Sequence, residues 1–239
     1  MIQKLFFNFL VILTLGLSFT SCNKEEEEKP FDALGDAFYI HQVIDGEVKT
    51  AVAFYAYANN FVSSASVTHP GGTTTSLQNG LNLSYTWLKE PETSDFTTEY
   101  PQDGSYQFEI TSEKGETLQA VDLLEIDSLG MPEFNKTEYD DESFSYEVEW
   151  NETVNADAYL VKVLTDQQQV VFVGFLIDNS ATKYIISQNT GSWDQSPVTD
   201  ETYTLQLLAY SFEESVEEAN YTYHIQEISI KEQEVVWGE

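Results

Sequence analysis

A chain of 239 residues is long enough for one large or two small domains. Its 41 acidic residues face ten basic ones, all Lys, for a formal net charge of −31, so it can neither release counterions from phosphates nor grip them with a guanidinium; nucleic acid and anionic membrane surfaces are excluded as partners. With 41% hydrophobic and 14% aromatic residues it can bury cores, and with Cys22 its one cysteine it has no intramolecular disulfide and no thiolate metal site.

Residues 1–21 read as a secretory signal: Lys4 supplies the positive end, Leu5 to Leu17 an apolar run too short for a comfortable permanent span, and small residues precede Cys22. Phe19-Thr20-Ser21-Cys22 resembles the lipobox of bacterial lipoproteins, with Phe19 where Leu is usual. The resemblance implies cleavage before Cys22 and acylation of that residue. Several acyl chains, at ~0.8 kcal/mol per buried CH₂, make such an anchor effectively permanent. Residues 22–35 read as the acylated cysteine and an acidic tether, because a run of like charges cannot pack. Cys22 followed by Lys24, Glu25, Glu26, Glu27 and Glu28 also resembles the surface-export signal of Bacteroidetes lipoproteins. That resemblance implies an outer-membrane protein facing outward, with the periplasmic face as the alternative.

From Phe38 onward short alternating runs separated by turn signals predict an all-β protein. Phe38 to Val43 and Val52 to Tyr57 flank the hairpin signal Asp45-Gly46. Ser64 to Thr68, Leu83 to Leu88, Tyr106 to Thr111 and Val121 to Ile126 follow, predicting one sandwich over residues 36–128. The stretch Gly104, Tyr106, Phe108 resembles the tyrosine corner of immunoglobulin-like domains, with Phe108 where antibody-type domains carry a cysteine.

Asp127 to Pro132 breaks the alternation and predicts a linker, after which residues 131–239 predict a second sandwich. Phe144 to Trp150, Ala156 to Val163 and Thr199 to Ala209 resemble the B, C and F strands of fibronectin type III domains in the right order. Two tandem immunoglobulin-like and fibronectin type III-like β-sandwiches are therefore the expected fold. Trp150, Tyr159 and Tyr203 are expected in the core, and Val170 to Ile177, apolar on both faces, is expected to be covered on both.

No catalytic machinery is visible. His41, His69 and His224 lie outside any nucleophile elbow or zinc spacing and are expected on surfaces or edge strands. The acidic clusters Asp140-Asp141-Glu142 and Glu213-Glu214 with Glu217-Glu218 lack the spacing of a dedicated calcium loop, so no metal and no cofactor is expected. Trp193, in a segment without strand pattern, is the candidate ligand contact, either exposed for stacking or folded back as a lid. Asp127-Ser128-Leu129 resembles an O-glycan acceptor of the same phylum, which makes Ser128 the candidate modified residue. The sequence thus predicts a membrane-anchored, non-catalytic binding lipoprotein without fixing its ligand, with polysaccharide capture as one reading and a structural or adhesion component that binds another protein as the alternative.

Overall fold

The computed structural model describes residues 29–80, 83–214 and 223–238. The signal segment, Cys22, Lys24 to Glu28, and Glu217 with Glu218 lie outside the described residues. Phe31–Glu239 forms one compact unit. Its strands in the first half are β1 (Ala33–Ile44), β2 (Glu47–Ala58), β3 (Val62–Thr68), β4 (Thr74–Ser76), β5 (Gln78–Asn79), β6 (Thr86–Lys89), β7 (Gly104–Ser112) and β8 (Thr117–Leu124). The second half adds β9 (Phe134–Asp140), β10 (Ser145–Trp150), β11 (Ala158–Thr165), β12 (Val170–Gly174), β13 (Ile177–Asp178), β14 (Lys183–Ile186), β15 (Gly191–Trp193), β16 (Thr202–Phe212) and β17 (Ile225–Val236). A 3-10 turn lies at Thr93–Asp95.

The alternation produces two β-sandwich cores. In the first, Ala37 and Tyr39 of β1 and Phe54 and Ala56 of β2 pack on Val67 of β3, Tyr106, Phe108 and Ile110 of β7, and Leu124 of β8. The hairpin joining β1 to β2 turns at Asp45 and Gly46, both with positive φ, the conformation its sequence signal asks for. Tyr106 donates its hydroxyl proton to the Gln102 carbonyl at 2.6 Å, closing a tyrosine corner beside the buried Phe108. The second core joins Val148 and Trp150 of β10 and Ile186 of β14 to Tyr159 and Val161 of β11 and to Tyr203, Leu205, Leu207 and Ala209 of β16. Trp150 and Tyr159 are both buried with ring centroids 5.3 Å apart, and the Tyr159 hydroxyl accepts the Thr153 N–H at 2.7 Å. The Tyr159 hydroxyl thus finds a backbone partner in the core, whereas the Trp150 indole N–H is buried without one among the described residues.

The two cores share a sheet. Ten strands, with the path β15-β12-β11-β16-β17-β1-β2-β6-β5 and β13 alongside β11, run through both halves. The four-stranded sheet β4-β3-β7-β8 covers one end and the three-stranded sheet β14-β10-β9 the other. At the seam β17 pairs in parallel with β1, Tyr39 opposite Glu227 and His41 opposite Ser229. The pairing satisfies two strand edges that separate domains would leave open. Successive residues point to opposite faces, so β1 sends Tyr39 into the first core and Phe38 to a third apolar cluster, with Leu208, Tyr210 and Ile228, on the other face of the shared sheet.

Several boundaries differ from the sequence reading. β1 begins at Ala33, inside the stretch expected to be tether. Leu83 to Tyr85 turns before β6 starts at Thr86. Val170 to Ile177 is not one strand covered on both faces: β12 ends at Gly174, and Val170, Phe175 and Leu176 are exposed while Val171 and Phe172 are buried. The run is apolar by composition, but bringing the chain from β12 to β13 turns two of its residues outward. His41 is neither on the surface nor on an edge strand: it is buried within β1, its Nδ1 2.8 Å from Thr50 Oγ1.

Candidate functional site: an aromatic cleft

At one end of the second core four aromatic rings line a cleft of about 520 Å³. Tyr139 is the last residue but one of β9, Phe144 sits in the turn to β10, Trp193 ends β15, and Trp237 follows β17. Ser187, Gln188, Ser196 and Thr199 add polar groups to the lining.

Each ring is placed by its own element. Trp237 is buried and central: its ring lies 5.8 Å from Tyr139, 5.7 Å from Tyr146, 5.6 Å from Trp193 and 6.3 Å from Tyr203. Its backbone is held by Glu201 and Asp200, through Trp237 N–H to Glu201 O at 2.9 Å and Asp200 N–H to Trp237 O at 2.8 Å. Trp193 lies in a strand after all, paired with Phe172 of β12. Its indole N–H donates to the Ser187 carbonyl at 2.9 Å, and its ring packs on Phe172 at 4.6 Å. The close pairing of β12 and β15 requires Gly191, since a Cβ there would meet both Val173 O and the Phe172 ring at 2.5 Å. Trp193 is thus partly buried, with its N–H already used, and contributes ring surface to the cleft rather than a hydrogen bond.

Phe144 is the unusual member. It is 75% exposed, the most exposed of the large apolar side chains among the described residues, and its backbone adopts φ 51°. A bulky side chain in the left-handed region is strained by ~1–2 kcal/mol. The turn is held by Asp140, whose carboxylate accepts the Glu142 N–H at 2.9 Å and the Ser143 hydroxyl at 2.6 Å. The Ser143 hydroxyl, then the Glu142 N–H, keep the Asp140 carboxyl below its usual range. Asp140 in the first acidic cluster is therefore a turn cap that presents Phe144 at the mouth of the cleft.

The cleft can offer flat apolar faces framed by hydroxyl and amide groups. Among the described residues that line the cleft there is no histidine; His41 pairs with Thr50 and Glu227, His69 with Thr75 and His224 with Glu213, all away from it. Sequence reasoning singled out Trp193 and passed over Tyr139, Phe144 and Trp237, because rings from four separate segments meet only through the fold. Ser128 is exposed in the linker with φ 62°. The linker backbone around it is pinned, with the Asn155 side chain donating to Asp127 O at 2.8 Å.

No family model matches the chain, and no curated protein matches it. Among solved structures it is similar to a two-domain fibronectin type III segment of chicken tenascin, with 10% identity over 77% of this chain and 91% of that one and a TM-score of 0.29. It is similar also to the FN1–FN3 domains of chicken CNTN1, with 11% identity over 87% of this chain and 64% of that one and a TM-score of 0.31. The BSP domain of a biofilm associated protein aligns at 14% identity over 87% of this chain and 29% of that one, with a TM-score of 0.25. The chain spans less than two thirds of the latter two.

Proposed function

We propose that the protein is a lipid-anchored, non-catalytic binding module of the outer cell surface that holds a neutral glycan in the aromatic cleft. The observation that carries the reading is Phe144, a strained and exposed ring at the mouth of a cleft walled by Tyr139, Trp193 and Trp237. Strain of this kind persists at sites where a function needs the geometry. Flat rings framed by hydroxyls suit the apolar faces and polar rims of sugar units, and a net charge of −31 disfavours acidic polysaccharides.

Phe144→Asn separates binding from folding, because Asn tolerates positive φ while offering no ring. The variant is expected to be as stable as wild type or more stable by about 0.5–1 kcal/mol. Its affinity for a neutral polysaccharide, read by retardation in affinity electrophoresis, should fall by about 1–3 kcal/mol, the scale of a lost stacking surface, and Trp193→Ala should act in the same direction. Equal retardation of wild type and Phe144→Asn across the panel would remove the cleft from the function.

The anchor is tested by Cys22→Ser, which should move the protein from the membrane fraction to the soluble one and abolish palmitate labelling. Labelling that persists in the variant would sink it. For Ser128, whose exposed side chain leaves room for an oligosaccharide, Ser128→Ala should lower the intact mass by a whole glycan and leave thermal stability unchanged. Protein from the native host showing only polypeptide plus acyl chains would end that proposal.

A second reading, adhesion to another protein, is favoured by the third apolar cluster, where a groove of about 370 Å³ runs past Phe38, Tyr55, Tyr210 and Ile228 on the outer face of the shared sheet. A protein-array hit lost on Ile228→Glu but kept by Phe144→Asn would select it.

A further inference from the structure

Three carboxylates from distant parts of the chain converge at the junction of the two halves: Asp36 in β1, Asp122 in β8 and Glu213 just beyond β16. One oxygen from each lies within 4.8 Å of the other two. Asp36 is wholly buried, Asp122 is buried and Glu213 half-buried. Asp122 and Glu213 stand within hydrogen-bond reach of each other, and the cluster's other protein partners are few. Asp122 Oδ2 accepts the Ala37 N–H at 2.6 Å, Asp36 Oδ2 accepts the Ile225 N–H at 3.4 Å, and His224 Nδ1 lies 3.1 Å from Glu213 Oε2.

Asp36 Oδ1 is different in kind: it is inaccessible to solvent and has no hydrogen-bond partner among the described residues. A buried carboxylate oxygen left without a donor is costly unless a cation or proton meets it. Burial first, then repulsion from Asp122, pushes the Asp36 carboxyl well above its ordinary value. Burial and the neighbouring Glu213 charge push Asp122 up to about 7, against the pull of the Ala37 N–H.

We infer that Asp36, Asp122 and Glu213 form a calcium site that ties the two halves together. The donors are all hard oxygens, which selects a group II cation over a transition metal. Oxygens within 4.8 Å of one another can share one calcium ion at about 2.4 Å, whereas magnesium dehydrates reluctantly and suits a buried set of carboxylates poorly. A cleft of about 450 Å³ lined by Asp122, Glu213, Glu214 and Asp127 opens beside the cluster and provides the entry path. One ion would bridge β1, β8 and the segment after β16, and the sequence could not announce it because no two of its ligands share a loop.

The test uses the full chain, purified in detergent and stripped with EDTA, titrated with calcium chloride at pH 7 by calorimetry and thermal melting. Wild type should take up one ion per chain and gain about 5–10 °C in Tm at ~100-fold excess over Kd. Magnesium at equal concentration should give a smaller rise, and an equal one would overturn the assignment to calcium. Asp36→Asn and Asp122→Asn should each abolish the rise while melting no lower than calcium-free wild type, since each removes a like charge. Glu213→Gln, at the half-buried ligand, should do the same with less risk to the core, and Asp45→Asn, in the exposed hairpin between β1 and β2, should keep the full response. No calcium-dependent shift in wild type, as expected if shared protons hold the cluster, would overturn the site; so would a rise retained in all three ligand variants.

Discussion

Glu227→Ala is expected to cost about 3–5 kcal/mol, a large part of the ~5–15 kcal/mol that holds a typical domain folded. Glu227 lies in β17 with its side chain wholly buried at the seam. One carboxylate oxygen accepts the Asp127 N–H at 2.9 Å and the other the Leu129 N–H at 2.6 Å, while His41 Nε2 stands 3.6 Å away, an electrostatic contact longer than a hydrogen bond. A single side chain therefore satisfies two linker amides and fastens the linker to the shared sheet. Removing it orphans both donors, that of Leu129 in a buried position. Glu227→Gln keeps the shape and one acceptor, so about 1–3 kcal/mol is expected for it, and urea melts at pH 7 rank the two.

The same group sets an acid limb. Burial raises the Glu227 carboxyl, but His41 and the N–H groups of Leu129 and Asp127 together outweigh it and hold the carboxyl below its ordinary value. A carboxyl depressed on folding contributes stability that is complete above the unfolded value of ~4.3 and lost as pH falls through the lower folded value. Wild type and Glu227→Gln should therefore differ most at neutral pH and converge below about pH 4. Curves that stay parallel down to pH 3 would show that Glu227 is not ionised in the fold.

Trp237→Ala is the second large effect, about 3–5 kcal/mol, the cost of truncating a buried Trp. The residue is buried, and rings from β9, β10, β15 and β16 lean on it. Its loss should also disable the cleft, because Tyr139 and Trp193 would lose the surface that sets their angle. Trp237→Phe refills part of the volume and should recover more stability than binding, since two rings must meet the shorter side chain. Stability measured by urea melts and affinity measured on the same protein check both arms. Full glycan affinity in Trp237→Ala would show that the cleft does not depend on this ring.

What the sequence determines by itself is local: all-β structure, two sandwich cores, and the core aromatics Trp150, Tyr159 and Tyr203. Period-two alternation marks buried faces over a few residues, and a tyrosine corner such as Tyr106 to Gln102 spans only four positions. Contacts between residues far apart in the chain leave no such trace. Glu227 meets Leu129 across 98 positions and Asp36 meets Ile225 across 189, so a reader of the chain sees isolated acids where the fold builds a clamp and a carboxylate cluster. His41 carries no sign that β17 will bury it, and Phe144 looks like the first residue of a strand although the Asp140 turn throws it into solvent. Only the tertiary structure decides that β1 and β17 join two sandwiches through one sheet, because strand pairing is a contest among open edges, settled by which edges the packed cores bring side by side.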